Sequence, residues 1–185
     1  MVATAVVCIA ATAEFAASYL EFDRLAILDG EWWRLLTGHL THFGWWHLTT
    51  NLIYLGALVF LISRLTVRGW LGYTVFAAVV VPLALLAEPE SLEQYRGISA
   101  LLYGLTGWCS LVLAGQGRAY LYGVPILTII FITLDLLGYS LPRKLPTGVT
   151  AYPLAHLYAV VAALLWYFIG RILPVGPVGG WKQAV

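Results

Sequence analysis

A chain of 185 residues that is 61% hydrophobic and 10% charged, with a mean hydropathy of +0.86, is a polytopic membrane protein, because a soluble domain carries roughly 25% charged residues. The net charge of +1 leaves no basic surface for nucleic acid. Cys8 and Cys109 both lie in apolar runs; they form neither a disulfide framework nor a zinc pattern and read as small buried side chains.

Residues 2–20 are the first expected span, Ala-rich and barely long enough for a bilayer that needs about 20 apolar residues. Met1 leads into it with no basic n-region and no convincing cleavage site, so a retained span is expected rather than a secretory signal. Glu14 lies inside this run. A carboxylate at the bilayer centre costs about 2.5–3.5 kcal/mol, which places Glu14 at the interface or facing the bundle interior. A polar loop over 21–44 follows, holding Asp23, Arg24, Asp29, Glu31, Trp32, Trp33 and Arg34. Paired tryptophans beside an arginine suit the membrane–water interface, and short helices lying partly in the membrane surface are expected there.

The second span covers 45–62 and the third 70–86, with Arg64 and Arg68 beside the turn between them and Pro82 as a source of a kink. An acidic loop with Glu88, Glu90 and Glu93 leads to the fourth span, 97–114. The turn 115–118 leads to the fifth, 119–139, which contains Pro125 and Asp135. Arg143 and Lys144, between Pro142 and Pro146, precede the sixth span, 152–172, and a Gly/Pro tail closes the chain. There is no internal repeat. The expected fold is all-α: a single transmembrane domain over 1–185 with six helices, since lipid cannot satisfy the edges of an open sheet.

Six spans put both termini on one side. Arg64, Arg68, Arg118, Arg171 and Lys182 fall on that side; Arg24, Arg34, Arg96, Arg143 and Lys144 fall on the other. The basic residues balance, so the positive-inside rule does not decide. All the acids except Asp135 lie in or near the second set of loops, which favours cytoplasmic termini.

The fourth span carries two stripes. Ser99, Tyr103, Thr106 and Ser110 recur at helical spacing as a polar stripe; Gly97, Ala100, Gly104 and Gly107 recur as a small one. Small stripes let membrane helices approach closely, so this helix belongs at the centre of a bundle. Taken alone, the serine reads as packing with a bond to its own backbone.

The histidines change that reading. His39, His42 and His47 lie at the start of the second span, where His47 and Asn51 share one helix face. His156 lies one turn into the sixth. Even-numbered spans start at one membrane level, so Ser99, His47, Asn51 and His156 can meet about a third of the way in. Polar residues inside a membrane are costly and point to function. This set suits acyl transfer, with Ser99 as nucleophile and His156 as general base. His47 and Asn51 can join the Ser99 backbone N–H in an oxyanion hole. No acid is placed to orient His156, so a Ser–His dyad is expected, its imidazole held by packing on Tyr103. The bland alternative is a polar cluster that fixes helix registry. A metal site built on His39, His42 and His47 is a weaker rival: there is no His-Glu-x-x-His, and spacings of three and five do not share one helix face. No cofactor is expected.

On these residues the chain resembles the rhomboid family of intramembrane serine proteases. Trp33-Arg34 resembles the family's Trp-Arg pair. His42 with His47-x-x-x-Asn51 resembles its second-span signature, Gly97-Ile98-Ser99-x-x-x-Tyr103-Gly104 its nucleophile motif, and Ala155-His156 its base motif. Glu21-Phe22-Asp23-Arg24, the run from Gly30 to His39 and the compact length are most similar to the rhombosortase branch. The resemblance implies a rhomboid-like six-helix bundle with Ser99 and His156 catalytic, His47 and Asn51 as oxyanion donors, and Tyr103, His42, Gly97 and Arg34 in support. It further implies a multi-pass protein of the bacterial inner membrane, with cytoplasmic termini and an active site toward the periplasmic face. The implied substrates are membrane-anchored proteins with a C-terminal Gly-Gly motif, an apolar span and a basic tail. Ala100, Ala159 and Ala163 stand where the family favours Gly, and slightly wider helix packing is expected there. The segment from Glu88 to Arg96 is expected to cap a polar cavity. The alternative is an inactive rhomboid-like binding protein, or a small membrane transporter or chaperone using the same polar layer.

Overall fold

The computed structural model describes residues 2–65, 67, 69–88, 94–115, 126, 130, 133, 134, 137 and 152–172. In chain order the helices whose bounds fall within the described residues are α1 (Val2–Ala11), α2 (Glu14–Leu20), α3 (Arg24–Leu28), α4 (Arg34–Thr37), α5 (Trp45–Leu65), α6 (Trp70–Ala87), α7 (Ser99–Gly115) and α8 (Pro153–Ile172). The strands β1 (Phe22–Asp23) and β2 (Gln94–Tyr95) pair antiparallel, Phe22 against Tyr95 and Asp23 against Gln94. α5, α6 and residues Pro153–Gly170 of α8 are long and apolar enough to cross a membrane, and the chain is a helical membrane protein. α7 is apolar and shorter, at 17 residues. The fifth expected span, 119–139, lies almost wholly outside the described residues, with Pro125 and Asp135, as do Arg143 and Lys144.

The first expected span is two helices bent by 99° at a short break. The cause is local. Thr12 Oγ1 donates back to the Cys8 carbonyl at 2.7 Å, Ala13 leaves the helical region at φ −58° and ψ 130°, and Glu14 opens α2, where a carboxylate suits the positive end of the helix dipole. Glu14 therefore starts a helix inside the expected first span, and it reaches Arg96 at 3.5 Å.

The loop after α2 folds into the short elements β1, α3 and α4. The Asp23 carboxylate caps α3 by accepting from the Ala26 N–H at 3.0 Å. Arg24 donates to the carbonyls of Leu85, Leu86 and Glu88 and so closes the C-terminal end of α6. Arg34 is buried; it pairs with Glu31 and donates to the carbonyls of Ser18 and Glu21. Trp32 and Trp33 remain more than half exposed, as interfacial side chains do.

Pro82 sits inside α6 and has no N–H to offer the Ala78 carbonyl one turn earlier. His39 Nε2 lies 3.2 Å from that carbonyl. A carbonyl only accepts, so Nε2 carries the proton and donates. The helix defect created by the proline is thereby filled from the loop, and the loop is fixed against α6.

α7 packs on α5, α6 and α8, and most of its residues are buried. Its closest approach is at Gly104, where an added Cβ would lie 2.0 Å from Tyr73 Oη and 2.6 Å from the Ala159 carbonyl. Tyr73 donates to that carbonyl at 2.8 Å and stacks on Trp108. Ala159 and Ala163 are fully buried. The room for the close contact with the Ala159 carbonyl comes from Gly104. Gly104→Ala is expected to cost roughly 1–3 kcal/mol by overpacking alone, with further loss from breaking the Tyr73 bond. Thermal melting in detergent measures it, and an unchanged Tm would contradict so close an approach.

Candidate active site

Ser99 is the first residue of α7 and is half-buried. The backbone leading to it is held from two sides. The Gly97 N–H donates to the Gly38 carbonyl at 3.0 Å, and the Gly97 carbonyl accepts from the Tyr95 hydroxyl at 2.9 Å. Gly97 has φ +125°, in the region that favours glycine. A Cβ there would also lie 2.9 Å from His47 Cε1, 3.1 Å from His47 Nε2 and 3.7 Å from Asn51 Nδ2. The two α5 side chains thus lie against the backbone just before the serine.

His47 and Asn51 are one turn apart near the start of α5. The Phe43 N–H donates to His47 Nδ1 at 3.3 Å. In the neutral ring the proton is therefore on Nε2, which faces Gly97 as a donor. Asn51 is buried, and its Nδ2 has no hydrogen-bond partner among the described residues. A buried donor left unsatisfied is uncommon and calls for a reason.

Ser99 Oγ is 3.0 Å from His156 Nε2. His156 belongs to the first turn of α8 and is 7% exposed. Its ring stacks on Tyr103, with centroids 4.4 Å apart and planes at 21°. Tyr103 is one turn after Ser99, so α7 supplies both the hydroxyl and the surface on which the imidazole rests. Tyr54 of α5 meets Tyr103 edge-on and shares a 2.6 Å hydrogen bond with Thr106. Thr106 and Ser110 also bond back to the carbonyls of Leu102 and Thr106. The polar stripe of α7 is chemically exposed only at its Ser99 end.

His42 is fully buried, with its ring 5.0 Å from that of His47 and nearly perpendicular. His39 turns elsewhere, to Ala78. Among the described residues no three His, Cys, Asp or Glu side chains are grouped to hold a metal ion. Arg34 bonds within residues 18–31 and acts on the loop.

Burial pushes the His39 imidazole down from 6.5 to about 4; burial, with His47 nearby, pushes His42 down to about 3. Both rings are neutral in the folded protein at pH 7. An unfolded chain protonates them below about pH 6.5, so it binds more protons than the folded one in that window. Stability is thus complete above about pH 6.5 and declines as the pH falls toward 4. Thermal melts across that range should show the decline, and His39→Gln should lessen it, leaving the part due to His42. A Tm that holds steady or rises on acidification would contradict this.

Several residues that shape the site are inconspicuous in the sequence. Gly38 reads only as part of a run around the histidines, and Phe43 as a neighbour of one. Glu21 enters only through the Glu21-Phe22-Asp23-Arg24 likeness and Arg96 reads as a loop charge, yet they pair at 2.6 Å across 75 residues. The available signal was the position of Arg96 directly before Gly97 in the approach to Ser99.

The family model described as Rhomboid domain matches residues 29–172, a range that includes α5, α7 and α8. No curated protein matches the chain.

Proposed function

This chain belongs to the rhomboid family, whose members are generally intramembrane serine proteases acting on membrane proteins, and we propose that it cleaves peptide bonds with Ser99 as nucleophile and His156 as general base. The observation that carries this reading is the 3.0 Å contact between Ser99 Oγ and His156 Nε2. As Oγ attacks the substrate carbonyl carbon, its proton passes to Nε2, and the same nitrogen returns a proton to the leaving amine. The acyl-enzyme is then resolved by water or an amine. Charge develops on the substrate oxygen, and His47 Nε2–H and Asn51 Nδ2 are the donors assigned to it. Stacking on Tyr103 supports the imidazole in place of a carboxylate.

The finer assignment is a rhombosortase-like endopeptidase in a six-span bundle. It lies in a bacterial inner membrane with its termini in the cytoplasm and its active site toward the periplasmic face. Its substrates are membrane-anchored proteins with a C-terminal Gly-Gly signal. The likeness of the first loop to that branch and the common level of the site residues, all near the starts of α5, α7 and α8, support it. The test is a secreted reporter ending in Gly-Gly, an apolar span and a basic tail, co-expressed with the protein. Cleavage beside the Gly-Gly pair, lost when it becomes Leu-Leu, is the expected result. Equal cleavage of both reporters would remove the Gly-Gly assignment and leave a general intramembrane protease; cleavage of neither would count against the sorting role.

A further inference from the structure

We propose that Arg96 is a positioning residue for the oxyanion face of the site. It holds the His47 ring through Phe43, with Glu21 as its fixed counter-ion. The inference rests on the reading of His47 as an oxyanion donor.

Four contacts connect Glu21, Arg96, Phe43 and His47. Arg96 is 9% exposed, and its Nε donates to Glu21 Oε2 at 2.6 Å, with Glu21 itself 4% exposed. The Arg96 guanidinium carbon lies 4.9 Å from the centre of the Phe43 ring. The Phe43 ring lies nearly parallel to that of His47, at 9° and 6.3 Å. The Phe43 N–H donates to His47 Nδ1. Phe43 therefore touches His47 twice: its amide sets which ring nitrogen carries the proton, and its ring sets the plane in which that N–H points. On the other side His47 meets Gly97, the residue bonded to Arg96. Arg96 thus bears on two neighbours of the imidazole, Phe43 and Gly97, while the His42 ring packs against it edge-on.

The residue type fits the task. A planar guanidinium can rest on an aromatic face while its Nε–H is aimed at a carboxylate; a lysine ammonium is a point charge and cannot keep both contacts. Glu14 also reaches Arg96, at 3.5 Å, but its side chain is 86% exposed, and a pair so open to water contributes little. Glu21 is the partner that fixes the guanidinium. A buried pair of this kind adds little net stability; what it does here is fix the guanidinium against the Phe43 ring. The pairing also joins the loop after α2 to the strand before α7, so the first loop has a direct mechanical line to the site.

The experiment compares the full-length wild type, Arg96→Lys, Phe43→Leu, His47→Ala and the two double variants containing His47→Ala. Each is measured for kcat and KM on a transmembrane reporter, for affinity toward a peptidyl boronate that forms a tetrahedral adduct on serine, and for Tm. Misplacing a catalytic donor by about 1 Å can cost about 100-fold. Arg96→Lys and Phe43→Leu should therefore lose about tenfold to hundredfold in kcat and in boronate affinity, with KM unchanged. In the His47→Ala background neither substitution should cost anything more, because the ring they position is gone. Phe43→Leu leaves the ion pair whole and carries the test if Arg96→Lys does not fold. Unchanged kcat in folded Phe43→Leu, or losses that multiply on top of His47→Ala, would overturn the inference while leaving the serine mechanism in place. A His47→Ala variant with normal kcat would overturn the oxyanion role of His47, and the inference with it.

Discussion

Ser99→Ala is expected to lower kcat by on the order of 10⁶, the scale on which removal of an activated serine acts. His156→Ala should cost nearly as much, and the double variant no more than either alone, because the two groups act as one unit. That non-additivity follows from the contact itself: Ser99 Oγ is 3.0 Å from His156 Nε2, and a serine hydroxyl without a base to take its proton is a weak nucleophile. The fold should survive. Ser99 is half-buried at a helix start, and its replacement by Ala removes one oxygen without opening a core cavity. Turnover retained by Ser99→Ala would rule out the serine mechanism, whereas losses that simply multiply would mean that the two residues act separately.

Asn51→Ala carries the second large effect. Loss of one oxyanion donor costs about 2.7–4 kcal/mol of transition-state stabilisation, or 10²–10³ in kcat. Stability should behave differently. Asn51 Nδ2 is buried with no hydrogen-bond partner among the described residues, and a buried polar group left unsatisfied detracts from stability. Asn51→Ala should therefore hold or raise the Tm while kcat falls. Such a split is the mark of a group kept for chemistry at some cost in stability. A fall in Tm with a near-normal rate would reduce Asn51 to a packing residue. Kinetics on a cleavable transmembrane reporter and melting of the same detergent sample read both quantities.

The central helix was the most legible part of the chain. Two stripes at helical spacing, one polar and one small, describe a helix that is packed against neighbours along its length, and α7 has that environment. The expectation that Ser99, His156, His47 and Asn51 meet came from a simple rule, that spans starting at one membrane level bring their first turns together, and these residues lie near the starts of α5, α7 and α8. The bend between α1 and α2 was harder to read. Its signs, Thr12 able to bond backward and Glu14 able to open a helix, are also compatible with an unbroken apolar run, and length alone favours that run. Pro82 announced a helix defect but not its remedy. Only the folded chain brings His39 to Ala78. The Glu21–Arg96 pair lies furthest from what sequence can give, because neither periodicity nor a local motif links charges so far apart in the chain. Long-range ionic contacts depend on how loops cross, and loop crossings have no repeat to read.

Labelling of the detergent-solubilised protein by a fluorophosphonate probe tests the Ser99–His156 mechanism most directly, because the probe reports an activated serine whatever the substrate is. The wild type should be labelled, and Ser99→Ala and His156→Ala should not. A folded wild type that takes up no probe, or a Ser99→Ala variant that still does, would contradict it.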